Sequence, residues 1–112
     1  ITDVADLLDG ENRKSYAVRW MSSMPDRNEI AARISPLNFV TSELPPIITI
    51  HGDADPTVPY NHAMQLHSLL DRAEVTNELV TVPNGRHGGF SANEMIRIYE
   101  RVFQFLDENV TR

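Results

Sequence analysis

With 112 residues, 41% of them hydrophobic, the chain has room for one domain with one modest core. A net charge of −6 argues against nucleic acid, whose phosphates need a basic stripe, and against anionic membrane surfaces. The lack of cysteine excludes disulfides, thiol chemistry and thiolate metal sites, and no apolar run is long enough to span a bilayer. The chain opens at Ile1 with neither methionine nor a signal-like start, so its compartment stays open.

The first 35 residues are polar and helix-prone. Asp3 to Gly10 reads as a short apolar-polar turn that Gly10 can end. Ser15 to Met24 places Tyr16, Trp20, Met21 and Met24 near helical spacing, a pattern that belongs more often to a core than to a ligand pocket. Pro25 to Asn28 reads as a turn or a fresh helix start, and Glu29 to Ile34 as a short helix stopped by Ser35 and Pro36. Leu37 to Val40 is a connector, followed by an extended lead-in through Pro45 and Pro46.

Ile47 to Ile50 is a continuous, largely β-branched run between prolines and a glycine. That pattern predicts a parallel strand buried on both faces. Residues 60–72 predict a helix with Ala63, Leu66 and Leu70 on one face, and Asn77 to Val82 a second strand stopped by Pro83. A last helix is expected over Ser91 to Asn109. Ser91 and Glu94 form a capping box there, with Phe90 stapled onto Met95. Its inward stripe is expected at Met95, Tyr99, Val102 and Leu106, with Ile96 and Phe103 beside it. Strand–helix–strand–helix from residue 47 is a parallel βαβ unit with a packing helix, an α/β class. Two strands cannot bury both faces of a sheet, so a further neighbour is expected. Residues 1–4 could be the tail of a preceding strand.

Chemistry concentrates in the two loops that follow the strands. His51, Gly52, Asp53, Ala54, Asp55, Pro56, Thr57, Val58 and Pro59 deliver a carboxylate on a tight turn. Asn84, Gly85, Arg86, His87, Gly88, Gly89 and Phe90 deliver a histidine between glycines. Reacting groups of open α/β sheets gather at the carboxyl ends of strands. Asp55 there could accept the Nδ1 proton of His87, and neutral His87 could act as a general base. The alternatives are an Asx-turn or helix cap for Asp55 and a helix-capping role for His87. Asp53 is expected to close its loop onto backbone amides, and His51 to be buried and hydrogen-bonded. His62 and His67 are five apart and share no helix face. His51, Asp53, Asp55 and His87 match no zinc spacing. None of the serines at 15, 22, 23, 35, 42, 68 and 91 lies in the Gly-x-Ser-x-Gly context of a strained nucleophile elbow.

Taken together, these residues resemble the C-terminal part of an α/β-hydrolase, in the carboxylesterase/lipase and prolyl-oligopeptidase-like branch. Strand-His-Gly-x-x-Asp-x-x-Val-Pro resembles that branch's acid loop, with Asp55 in the acid position. Pro-Asn-Gly-x-His-Gly-Gly-Phe resembles its histidine loop, with His87 in the base position. The resemblance is strong over residues 35–106. It implies a helical cap or lid segment at 1–34 after a strand end, and at 35–112 the C-terminal βαβα part of an incomplete hydrolase core. It also implies a serine ester hydrolase acting on a small-molecule ester, with the serine in a missing N-terminal part of the same protein and no metal or organic cofactor. This chain alone is then expected to be inactive. The alternatives are an oligopeptidase-like serine peptidase, a non-catalytic binding protein of the same fold, and self-association through an exposed sheet edge.

Overall fold

The computed structural model describes residues 1–110. Three short helices come first: α1 (Val4–Asp9), α2 (Ser15–Met21) and α3 (Arg27–Arg33). A 3₁₀ turn (Pro36–Phe39) leads to strand β1 (Ile47–Gly52), helix α4 (Tyr60–Arg72), strand β2 (Asn77–Val82) and helix α5 (Ala92–Asn109). β1 and β2 pair in parallel, in a register from Ile47 opposite Asn77 to Gly52 opposite Val82. Parallel neighbours need a crossover, and α4 supplies it.

β1 departs from the expected doubly buried strand. Ile47 to His51 are all half-buried, and only Gly52 is buried. Among the described residues the sheet has two strands, so one edge of β1 carries no partner. Residues 1–3 do not fill that place as a strand. Instead Thr2 docks on the start of α4: its hydroxyl donates to the His62 carbonyl at 2.8 Å, and its own carbonyl accepts from Leu37 N–H at 3.1 Å.

Two apolar clusters form. One lies within the helical segment, where Val4, Leu7, Leu8, Ala17, Met21 and Ala31 are buried. Here Met21 is core as expected, but Trp20 is 61% exposed. Ser35 closes this cluster: its hydroxyl accepts from Val4 N–H at 2.8 Å and donates to the Ala31 carbonyl at 2.7 Å. The other cluster joins Val80 and Val82 to Ile98, with Ile48, Ile50, Phe90, Met95 and Val102 packed against it.

Helix α5 turns half of the expected stripe inward, Met95 and Val102, and leaves the other half, Tyr99 and Leu106, exposed. Ile98 and Phe105 are buried, and Met95 and Val102 pack beside Ile98. Ile96, Tyr99, Phe103 and Leu106 are exposed. Both sets repeat at intervals of 3, 4 and 3, offset by one residue, so periodicity did not choose between them. Ser91 caps the helix by accepting from Glu94 N–H at 3.3 Å. The reciprocal half of the box is not formed, because the Glu94 carboxylate pairs with Arg97 at 2.9 Å.

A buried histidine ties the helical segment to α4. His62 is fully buried. Its Nε2 lies 2.9 Å from Asp6 Oδ2 and so donates to it, which leaves Nδ1 to accept from Thr2 N–H at 3.5 Å. Asn12 Nδ2 donates to the same Asp6 oxygen at 2.8 Å. Burial pushes the Asp6 carboxyl up, but the bonds from His62 and Asn12 outweigh it and hold it below the usual aspartate value. A folded-state pKa below the unfolded one adds stability above the unfolded value of about 3.9, and that stability is lost as pH falls through the folded value. Asp6→Asn is therefore expected to narrow the gap between urea midpoints measured at pH 7 and pH 3. An unchanged gap would refute this role for Asp6.

Candidate active site

The two loops after β1 and β2 are brought together by backbone contact before any side chain acts. Asp53 N–H donates to the Val82 carbonyl at 3.2 Å, and Ala54 N–H to the Gly85 carbonyl at 3.0 Å. These bonds carry the strand pairing past its formal end. The approach demands glycine at 52: a Cβ there would lie 2.2 Å from the Gly85 carbonyl oxygen. Asp53 also closes the loop as expected, its carboxylate accepting from Asn84 N–H at 2.6 Å. Asn84 sits at φ 56° and turns the chain out of β2.

Asp55 and His87, 32 residues apart, meet in this frame. The Asp55 side chain is 4% exposed and that of His87 57% exposed. Asp55 Oδ2 lies 2.8 Å from His87 Nδ1. Asp55 Oδ1 accepts from the backbone N–H groups of Thr57 at 2.8 Å and Val58 at 2.9 Å. The Asx-turn alternative and the histidine-binding reading are thus both realised, one on each carboxylate oxygen. Burial raises the Asp55 pKa, but the bonds from His87, Val58 and Thr57 prevail and keep it below the ordinary aspartate range. A carboxylate accepts and does not donate, so Nδ1 of His87 carries a proton, and in the neutral ring Nε2 keeps the free lone pair. Gly88 and Gly89, at φ 95° and 67°, carry the chain away so that His87 faces open space.

His51 supports the acid from below. Its Nε2 is 3.1 Å from the Val58 carbonyl and 3.4 Å from Asp55 Oδ2. Both are acceptors, so Nε2 bears the hydrogen and is shared between them. Tyr60 meets the His51 ring edge-on, with centroids 5.7 Å apart.

A cleft of about 410 Å³ opens in front of the pair, lined among others by Thr49, Ile50, Asp55, His87 and Phe90. Among the described residues no serine hydroxyl bonds to His87. Ser22, Ser35 and Ser91 are engaged with Arg19, with Ala31 and Val4, and with Glu94. The arrangement can take up a proton at His87 Nε2 from a group in the cleft and stabilise the resulting imidazolium with Asp55. His62 and His67 lie elsewhere: His62 on Asp6, and His67 with Nδ1 2.6 Å from Asn77 Oδ1. The pairing of buried His62 with half-buried Asp6 had no sequence signal, since the two are 56 residues apart with no loop motif around either.

Comparison with known proteins bears on the family and the fold. The model of the prolyl oligopeptidase family matches residues 1–112. The chain is 29% identical over 91 residues to esterase LipQ of Mycobacterium tuberculosis, covering 75% of this chain and 22% of LipQ. A truncated carbohydrate esterase from gut microbiota aligns with TM-score 0.58 and 32% identity, over 67% of this chain and 27% of that one. Esterase 2 of Thermogutta terrifontis, phosphonylated by cyclosarin, aligns with TM-score 0.65 and 28% identity, over 73% of this chain and 34% of that one. The chain thus spans less than two thirds of each relative and corresponds to part of an α/β-hydrolase fold.

Gly52→Ala is expected to force β1 and the Gly85 segment apart and destabilise the chain by about 1–3 kcal/mol. Urea denaturation measures the loss, and histidine NMR should show the His87 Nδ1 proton exposed to exchange. Wild-type stability with a protected proton would contradict the close-approach argument.

Proposed function

This chain belongs to the prolyl oligopeptidase family, and on that premise we propose that it carries the acid and the base of a serine ester hydrolase, Asp55 and His87. The observation that carries the reading is the 2.8 Å bond from exposed His87 to buried Asp55. A serine outside these 112 residues attacks the acyl carbonyl of a small ester. His87 Nε2 takes the serine proton and returns it to the leaving alcohol, while Asp55 fixes the Nδ1–H tautomer and stabilises the imidazolium. Water then repeats the cycle on the acyl-enzyme with the same proton path, releasing the acid and regenerating the serine.

Ester rather than peptide substrates are favoured because LipQ and the solved relatives are named as esterases. Peptide cleavage is the second reading, favoured by a family model that spans the whole chain. Within the chain, residues 1–34 serve as a cap-like segment over the loops, and residues 35–112 as the core portion that presents them.

In a protein that joins this chain to its nucleophile, Asp55→Asn should lower kcat by about 10⁴-fold, because the wrong His87 tautomer is then favoured. His87→Ala should cost at least as much. The 112-residue chain alone should hydrolyse p-nitrophenyl acetate no faster than its His87→Ala variant. Esterase activity within tenfold of wild type in Asp55→Asn would sink the assignment.

A further inference from the structure

The loop that holds Asp55 is itself held, from the side opposite the carboxylate. Lys14 Nζ donates to the Pro56 carbonyl at 2.9 Å, and the Tyr16 hydroxyl donates to the Thr57 carbonyl at 2.9 Å. Those carbonyls belong to the same peptide units as Thr57 N–H and Val58 N–H. These are the two donors on Asp55 Oδ1, at 2.8 and 2.9 Å. Peptide units are planar, with C=O and N–H antiparallel, so fixing the carbonyl fixes the direction of the N–H. A donor on the carbonyl also polarises the unit and strengthens the bond its N–H makes. The third carbonyl, of Val58, precedes Pro59, which has no N–H to offer; there the donor is His51.

We propose that Lys14 and Tyr16 are positioning residues for the acid–base pair, gripping two peptide units so that their N–H groups orient Asp55 toward His87. Its kinetic consequence rests on the catalytic reading of Asp55 and His87; its physical content does not. Both residues come from the helical segment. Lys14 immediately precedes α2 and Tyr16 lies in its first turn, and α2 is anchored by buried Ala17 and Met21. The segment therefore reaches the site through backbone dipoles, without touching the carboxylate by a hydrogen bond. Tyr16 remains a donor at working pH, because burial and the Asp55 charge both push its phenol upward. Among the charged or titratable groups around Asp55 are His87 from the β2 loop, His51 from β1, and Tyr16 and Lys14 from the α2 region, with Arg86 lining the same cleft. A simple anchor would need only one contact; here both donor-bearing peptide units are gripped, each on its carbonyl.

The test is the acid titration of the Asp55 carboxyl carbon by NMR in the 112-residue chain at high salt, which screens the Lys14 charge. Tyr16 is uncharged throughout that titration, so Tyr16→Phe reports the hydrogen bond alone. Tyr16→Phe and Lys14→Met should each raise the Asp55 midpoint toward the ordinary aspartate value. Lys14→Arg should restore it. Asp6→Asn, which weakens another tether of the helical segment, should leave it in place. An unmoved midpoint in Tyr16→Phe and Lys14→Met overturns the proposal, and so does an equal shift in Asp6→Asn. In a protein that also carries the nucleophile, either change should lower kcat roughly threefold to tenfold with KM unchanged. Tyr16→Phe should have no further effect on an Asp55→Asn background. If the midpoint moves while Asp55→Asn keeps full activity, the grip stands and the catalytic reading falls. If the midpoint moves and Asp55→Asn is inactive but Tyr16→Phe keeps wild-type kcat, the positioning role falls.

Discussion

A carboxylate removed from water must have its oxygens answered, and the Asp55 side chain is only 4% exposed. The partners it recruits come from three parts of the chain. Its own loop supplies two amides, β1 supplies His51, and the β2 loop supplies His87. Leaving such a charge unpaired would cost several kcal/mol, far more than most single contacts here contribute. The loops are therefore not free to drift apart without charging that penalty. The parallel register and the Gly52–Gly85 approach exist in the same frame, because they set the two loop origins one strand spacing apart.

Under the function proposed above, this arrangement divides the labour between a rigid acid and an accessible base. Asp55 is immobilised by four nearby donors, whereas His87 is 57% exposed and tied to the frame through one ring nitrogen. Glycines at positive φ follow His87, so its loop carries little side-chain packing of its own. A base must meet a substrate in a cleft, and its orienting group need not. The helical segment adds a second layer. It is built around its own apolar cluster, reaches α4 through Asp6 and His62, and reaches the acid loop through Lys14 and Tyr16. A change deep in that cluster thus has a physical route to the Asp55 loop.

Much of the frame was legible from local pattern. Asn77 to Val82 and residues 60–72 fall where a run closed by Pro83 and a helical face put them. The Asp55 and His87 loops stood out because glycine and proline punctuation leaves few conformations for them. What failed did so for lack of local information. On α5, Ile96, Tyr99, Phe103 and Leu106 form as regular a stripe as Met95, Ile98, Val102 and Phe105, and only the position of Val80 and Val82 selects the latter. The doubly buried reading of β1 rested on its apolar run, which records an environment richer in neighbours than the two strands described. Burial of His62 depends on Asp6 and Thr2, 56 and 60 residues away. The roles of Lys14 and Tyr16 are directed at backbone carbonyls some 40 residues on, which leave no trace in side-chain identity.

The central claim is that Asp55 presents His87 as a neutral base with its proton on Nδ1 and its lone pair on Nε2. Nitrogen-15 NMR of the neutral form of the His87 ring tests it directly, with Asp55→Asn as the reference. The account predicts a protonated Nδ1 and an unprotonated Nε2 in the native chain, with that preference lost in the variant. A His87 ring protonated on Nε2, or one whose tautomer is indifferent to Asp55, would contradict it.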